Sequence, residues 1–382
     1  FPGFEGEWEE KQLGDLTDRV IRKNKNLESK KPLTISGQLG LIDQTEYFSK
    51  SVSSKNLENY TLIKNGEFAY NKSYSNGYPL GAIKRLTRYD SGVLSSLYIC
   101  FSIKSEMSKD FMEAYFDSTH WYREVSGIAV EGARNHGLLN VSVNDFFTIL
   151  IKYPSLEEQQ KIGKFFSKLD RQIELEEQKL ELLQQQKKGY MQKIFTQELR
   201  FKDENGEEYP EWENKFIKDI FIFENNRRKP ITSSLREKGL YPYYGATGII
   251  DYVKDYLFNN EERLLIGEDG AKWGQFETSS FIANGQYWVN NHAHVVKSND
   301  HNLFFMNYYL NFKELRAFVT GNAPAKLTHA NLCNINLKIP CLTEQDKVSA
   351  LLKSIDNKMN NQMNRIELLK ERKKGLLQKM FI

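Results

Sequence analysis

The stretch "YPYYGATGIID" (residues 241–251) is echoed about two hundred residues earlier by "ISGQLGLID" (residues 35–43). At a constant offset of 208, Gly37 falls on Gly245, Gly40 on Gly248, Leu41 on Ile249, Ile42 on Ile250 and Asp43 on Asp251. One glycine-punctuated turn written twice points to a chain made of two copies of one unit, and a repeat decides the architecture before any single element does.

Two more pairs keep the same order. "YPSLEEQQKIGKFFSKLD" (residues 153–170) matches "IPCLTEQDKVSALLKSID" (residues 339–356) at an offset of 186, through Pro154/Pro340, Glu158/Glu344, Gln159/Gln345, Lys161/Lys347 and Asp170/Asp356. The match continues without a gap from "KKGYMQKIF" (residues 187–195) to "KKGLLQKMF" (residues 373–381). "WEEKQLGDL" (residues 8–16) pairs with "WENKFIKDI" (residues 212–220). Each half thus opens on a Trp-led strand, makes the Gly-x-x-Gly turn and closes with a Pro-led helix.

The closing helices carry a heptad seam, with apolar steps alternating four and three: Phe166, Leu169, Ile173, Leu180, Leu183, Tyr190, Ile194 in the first. The second repeats it through Val348, Leu352, Ile355, Met359, Ile366, Leu369, Leu376 and Met380. Polar residues interrupt both seams at the same places, Glu176 and Lys187 in one, Gln362 and Lys373 in the other. Each helix is expected to run about 40 residues, or ~60 Å. If the two pack antiparallel, setting Glu176 opposite Lys373 also sets Lys187 opposite Gln362, with residue numbers summing to 549. These polar breaks are then expected to pin the register, and a one-heptad slip to bury a lysine against leucine or isoleucine.

The expected fold class is therefore α+β: two similar domains separated by two long antiparallel coiled-coil helices, with an internal pseudo-two-fold repeat. The first domain is placed at 1–154 and the central helix at 155–199. The second domain is placed at 200–340, with a polar linker at 196–213, and the C-terminal helix at 341–382. Antiparallel packing is expected to hold the two domains at opposite ends of a rod.

Composition bounds the function. The chain has 382 residues, 40% hydrophobic and 27% charged, with a net charge of +3 and three cysteines. That describes a soluble, cytoplasmic protein with neither a disulfide framework nor a Cys-x-x-Cys zinc site. "FPGFEGEWEE" has no leader-like apolar run, and residue 1 is not expected to be the start of the gene product. There is no phosphate loop, no G-x-G-x-x-G and no pair of adjoining prolines, so the amino-methyltransferase tetrapeptide is absent. Glu268, Asp269 and Lys272 in "GEDGAKWG" resemble a nuclease cluster, although a charged Gly-rich hairpin tip is by far the commoner explanation. His292 and His294 alternate as on a strand, with no third zinc ligand in sight.

Binding is better supported. Arg22, Lys23 and Lys25 follow the first opening strand, and Arg227, Arg228 and Lys229 follow the second. Cations in matched places suit a phosphate-gripping footprint. Ser36, Gln38, Tyr244, Lys272, Trp273 and Asn291 stand near the glycine turns or on the loops and are candidates to reach base edges or enter a groove.

With these motifs assembled, the chain resembles a specificity subunit of a type I restriction–modification system. The resemblance rests on "YPYYGATGIIDY", "LLIGEDG", "NGQYWVNNHAHVV", "LTHANLCNINLKIPCLTEQDKV" and "LEEQQKIGKFFSKLDRQIELEEQKLELLQQQKKGYMQKIF". It covers essentially the whole chain and is closest in the second half. The first half departs from it: Ser36 replaces the tyrosine before the turn, and Leu138 replaces the proline of "GNAPAKL". The resemblance implies two variable target-recognition domains that read different halves of a split, asymmetric site in double-stranded DNA. It implies helices that fix the gap and seat two modification subunits, which flip out and methylate adenine with S-adenosylmethionine. Restriction subunits using ATP and Mg2+ complete the complex, and the chain itself is non-catalytic. The alternative from another class is an adaptor with two non-DNA binding heads on a coiled-coil spacer.

Overall fold

The computed structural model describes residues 1–37, 39–48, 56–73, 77–129 and 139–381. The chain divides into two compact units, Phe1–Glu177 with Asn364–Ile382, and Gln178–Met363.

The first half runs β1 (Glu9–Gln12), α1 (Leu13–Leu16), β2 (Thr17–Arg19), β3 (Leu33–Ser36), β4 (Gly40–Asp43) and α2 (Gln44–Tyr47). It continues through β5 (Thr61–Lys64), β6 (Phe68–Asn71), β7 (Ala82–Arg85), β8 (Ser91–Leu94) and β9 (Tyr98–Ile103). Helices α3 (Lys109–Asp117), α4 (Tyr122–Ile128) and α5 (Val143–Phe146) then lead to β10 (Leu150–Tyr153) and the long helix α6 (Leu156–Phe195).

The second half repeats that order: β11 (Glu213–Phe216), α7 (Ile217–Ile220), β12 (Ile222–Phe223), β13 (Lys238–Gly245) and β14 (Gly248–Val253). Next come β15 (Phe258–Asn259), β16 (Arg263–Gly267), β17 (Ser280–Ala283), β18 (Gln286–Val289) and β19 (Ala293–Lys297). Helices α8 (Leu303–Phe312) and α9 (His329–Cys333) precede β20 (Asn336–Ile339) and the closing helix α10 (Leu342–Met380).

Strand for strand, the second ten repeat the first. The opening strand pairs antiparallel with the strand that feeds the closing helix, β1 with β10 and β11 with β20. The central sheets have the orders β2-β9-β6-β7 and β12-β19-β16-β17. The remaining strands form β14-β13-β18-β15 in the second half. In the first half, β3-β4 and β5-β8 are separate pairs that meet through one parallel bridge, Pro32 to Val93. The two glycine turns are the tips of equivalent hairpins: Ser36 pairs with Gly40, and Gly245 with Gly248. Gly40 (φ 72°) and Gly248 (φ 133°) hold positive φ angles that a side chain would strain, which explains why both copies keep glycine there.

Docking onto each closing helix is also duplicated. Ser108 caps α3 by accepting from Phe111 N, and Asn302 caps α8 by accepting from Phe305 N. The backbone N–H of each cap residue donates to a buried glutamine of the long helix, Ser108 to Gln159 Oε1 (3.0 Å) and Asn302 to Gln345 Oε1 (2.9 Å). The glutamine amides donate back to Pro154 O and Pro340 O, both at 2.9 Å. Around these bonds lie the two cores: Phe111, Ile162 and Phe166 with Leu377 and Phe381 in the first unit. Phe305, Val348 and Leu352 with Met191 and Ile194 take the equivalent places in the second.

The helix register differs from expectation. Within the first unit, Lys373 Nζ meets Asp170 at 2.7 Å and Arg365 meets Glu176 at 3.3 Å, so α6 and α10 run antiparallel there. Within the second, Lys187 Nζ meets Asp356 at 2.6 Å. Asp170–Lys373 and Lys187–Asp356 both sum to 543, about one heptad short of the expected 549. Glu176 is therefore not set opposite Lys373, nor Lys187 opposite Gln362. A lysine stem is long enough to leave the seam and pair with the aspartate flanking it, so the slip does not strand its charge among leucines.

Candidate nucleic-acid interface

In the second domain, three loops and the β13–β14 turn are tied to one another. Asn290 N donates to Tyr244 O (3.0 Å), Glu268 N to His292 O (2.8 Å) and Leu327 N to Glu268 O (2.7 Å). A Cβ on Gly267 would stand 2.3 Å from Ala271 Cβ and 3.0 Å from Ala246 O, so only glycine permits this approach of backbones. The surface so formed exposes Thr247, Lys272, Asn291 and His292. Of the groove-contact candidates, Lys272 and Asn291 are exposed. Tyr244 stands at the margin of this surface, half-buried against Phe281 and Tyr287. Trp273 does not join it. Its indole is buried in the core and Nε1 donates to Gly267 O at 3.2 Å, which removes it as a groove-inserting side chain.

The basic clusters are largely turned inward. Arg227 makes a two-pronged bond to Glu261 (2.7 Å each), donates to Leu257 O and stacks over Phe258. Hydrogen bonding from Arg227, against a smaller opposing effect of burial, holds the Glu261 carboxyl at about 2. Arg228 bonds Glu268 (2.6 Å) and the carbonyls of Asn291 and Ala293, fixing the loop before β19. Lys229 is exposed; its backbone N–H donates to Val289 O and its carbonyl accepts from Trp288 Nε1 (2.6 Å).

The first domain has the same clamp. Arg22 bonds Glu67 and Leu62 O, as Arg227 bonds Glu261 and Leu257 O. The structural counterpart of Arg227 is thus Arg22 rather than Lys23, the residue that the 204-residue offset between the two opening strands (8–16 and 212–220) lays on Arg227. Lys23 Nζ donates to Asn59 O, and Lys25 is exposed. Ser36 is buried, its hydroxyl accepting from Leu39 N inside the turn, which directs it away from a groove. Gln38 and Leu138 lie outside the described residues.

The acidic and histidine positions also resolve. Glu268 is neutralised by Arg228, and Asp269 contacts His292 and, at 3.4 Å, Lys326. His294 is buried with Nε2 on Leu327 O, and burial pushes its imidazole below the ordinary range. Among the described residues no group of three His, Cys, Asp or Glu side chains is placed to hold a metal ion. Likewise, no helix there is long and apolar enough to cross a membrane. Lys326 was not singled out from sequence: nothing in "APAK" signals that the loop folds back onto Asp269.

Comparison with known proteins agrees with this geometry. The model of the type I restriction modification DNA specificity domain matches twice, over residues 5–185 and 209–371. The chain belongs to that family and carries two copies of the domain. A putative type I restriction enzyme specificity subunit of Haemophilus influenzae is 40% identical over 147 residues, 38% of this chain and 37% of the relative. The chain thus aligns with little more than a third of that relative's length. The MjaVIII specificity subunit of Methanocaldococcus jannaschii is 23% identical over 97% of this chain and 91% of its own. Among solved structures, the S subunit of a type I system from M. genitalium has the same fold, with a TM-score of 0.62 and 16% identity over 100% of this chain and 98% of that one.

Proposed function

We propose that this chain is the DNA-recognition subunit of a type I restriction–modification complex. Each domain reads one half of a bipartite, asymmetric site in duplex DNA. The two long helices set the gap and recruit the modification subunits, and the chain contributes no catalysis of its own. S-adenosylmethionine, ATP and Mg2+ belong to partner subunits in this reading, and the complex works in the cytoplasm. The observation that carries it is the doubled specificity domain, one ten-strand framework presenting different exposed side chains in each copy. A shared framework with unlike surfaces suits the reading of two different DNA words.

The test is to purify the chain with its neighbouring modification subunit and measure duplex binding against salt concentration, then determine the methylated motif by sequencing. Sequence-selective binding with a steep negative salt slope and a split motif is expected. Absence of duplex binding would favour the adaptor instead.

A further inference from the structure

The turn leading into the second strand of each central sheet is built alike in both halves and tipped differently. Before β19, the buried Asn290 accepts from His292 N through Oδ1 at 2.8 Å. Before β9, Ser95 Oγ accepts from Leu97 N at 3.4 Å. The same side-chain-to-backbone device thus presents His292 and Leu97 at equivalent positions, one residue ahead of equivalent strands. Leu97 is 51% exposed, and the His292 side chain 49%.

Around His292 the support is dense. Nδ1 contacts the Asp269 carboxylate, which Lys326 Nζ also reaches at 3.4 Å. The His292 carbonyl accepts from Glu268 N at 2.8 Å. Arg228 binds the carbonyls on either side, of Asn291 (3.3 Å) and Ala293 (3.0 Å). With Nδ1 occupied, Nε2 is the ring's outward polar atom, and it has no hydrogen-bond partner among the described residues. A ring held this firmly loses little freedom when it makes one more bond, the condition for discrimination at low entropic cost.

We propose that this tip is a base-reading position in both halves: His292 contacts a base edge through Nε2, and Leu97 makes apolar contact with a thymine methyl in the other half-site. Asp269 acts as a positioning residue for the ring. The inference rests on the DNA-recognition reading above and deepens it by naming the residues that separate one half's word from the other's.

The full chain, purified with its modification subunit, tests it through competition binding against duplexes substituted one base pair at a time, together with the methylated motif. Variants are His292→Ala, His292→Asn, Asp269→Asn and Leu97→Ala. His292→Ala should lose about tenfold discrimination at one position of one half-site. Leu97→Ala should lose it at one position of the other half-site, with the gap and all remaining positions kept. Asp269→Asn should weaken the His292 position alone. His292→Asn, which keeps a polar tip, guards against misfolding of the alanine variant and should change selection at the same position. Selective binding by the parent with unchanged discrimination in both His292 variants, or His292 and Leu97 variants acting on the same half-site, would overturn the assignment and leave DNA recognition standing. Absence of selective binding by the parent would instead overturn the recognition reading, and this one with it.

Discussion

Lys373 Nζ lies 2.7 Å from Asp170 Oδ1, and the same pair recurs in the other unit as Lys187 with Asp356 at 2.6 Å. Both residues of the second pair stand 186 positions from their counterparts, so the contact belongs to the repeat rather than to either half. Its surroundings have diverged. Lys373 also binds Asp117, which Lys84 shares, whereas Lys187 lies over the Tyr308 ring and Tyr308 donates to Asp356. Lys373→Ala should therefore cost about 2 kcal/mol, because it leaves the mostly buried Asp117 to Lys84 alone. Lys187→Ala should cost about 1 kcal/mol, since Lys187 and Asp356 are both more exposed than Lys373 and Asp117, and Asp356 keeps the tyrosine hydroxyl. Denaturant titration of the two variants measures both; equal losses would contradict the difference in environment.

Acid should act through Asp117. Burial works against its charge, but the ammonium groups of Lys84 and Lys373 outweigh burial and hold the carboxyl at about 2. That lies below the ~3.9 of an unfolded aspartate. Its stabilisation is therefore complete above about pH 4 and is lost as pH falls from there towards 2. Asp170 and Glu113, both pushed upward chiefly by burial, pull the other way on acidification. The informative quantity is thus the difference between Asp117→Asn and the parent, not the parent's curve alone. The variant should be less stable at pH 7 and should lose less between pH 4 and 2, which melting temperatures across that range will show.

The sequence made the repeat legible because its landmarks do backbone work. Gly40 and Gly248 hold positive φ, Gln159 and Gln345 bond a cap and a proline carbonyl, and Trp8 and Trp212 open equivalent strands. Such roles tolerate few alternatives, so both copies kept the residue. What stayed hidden depends on partners distant in sequence. The lysine breaks were matched to polar seam residues, yet their carboxylates flank the seam at Asp170 and Asp356. Trp273 sits in a charged, Gly-rich stretch but fills the core. Arg227 looked like a free cation because its acceptor, Glu261, lies 34 residues away.

That last point separates two cations of one cluster. Arg227→Ala should destabilise the second domain by about 1 kcal/mol, since its guanidinium is part-exposed and Glu261 keeps its ion pair with Arg263. It should change the salt dependence of DNA binding little, because the domain already neutralises its charge. Lys229, exposed and with no partner for its ammonium among the described residues, should behave oppositely: Lys229→Ala should leave melting unchanged and cut the slope of log K against log salt by about one. Melting curves and binding isotherms on the two variants decide it. A slope unmoved by Lys229→Ala would take this residue out of the interface.

Exchanging residues 17–150 for the equivalent segment of another family member should change one half of the recognised site and leave the other half and the gap intact. The boundaries follow from the fold. Strand β1 ends at Gln12 and helix α1 at Leu16, and β10 begins at Leu150, so the exchange retains the opening strand, most of its partner and the whole of α6. The transplanted segment must still offer a capping residue to Gln159 and an aromatic ring to Phe166 and Phe381, as Ser108 and Phe111 do here. A donor with Ser, Asn, Asp or Thr at that cap and Phe three residues on satisfies both conditions. Sequencing the methylated motif of the chimeric complex reads the outcome directly. Alteration of both half-sites would mean that the two domains do not read independently, and the duplicated framework would then have to be explained without separate DNA words.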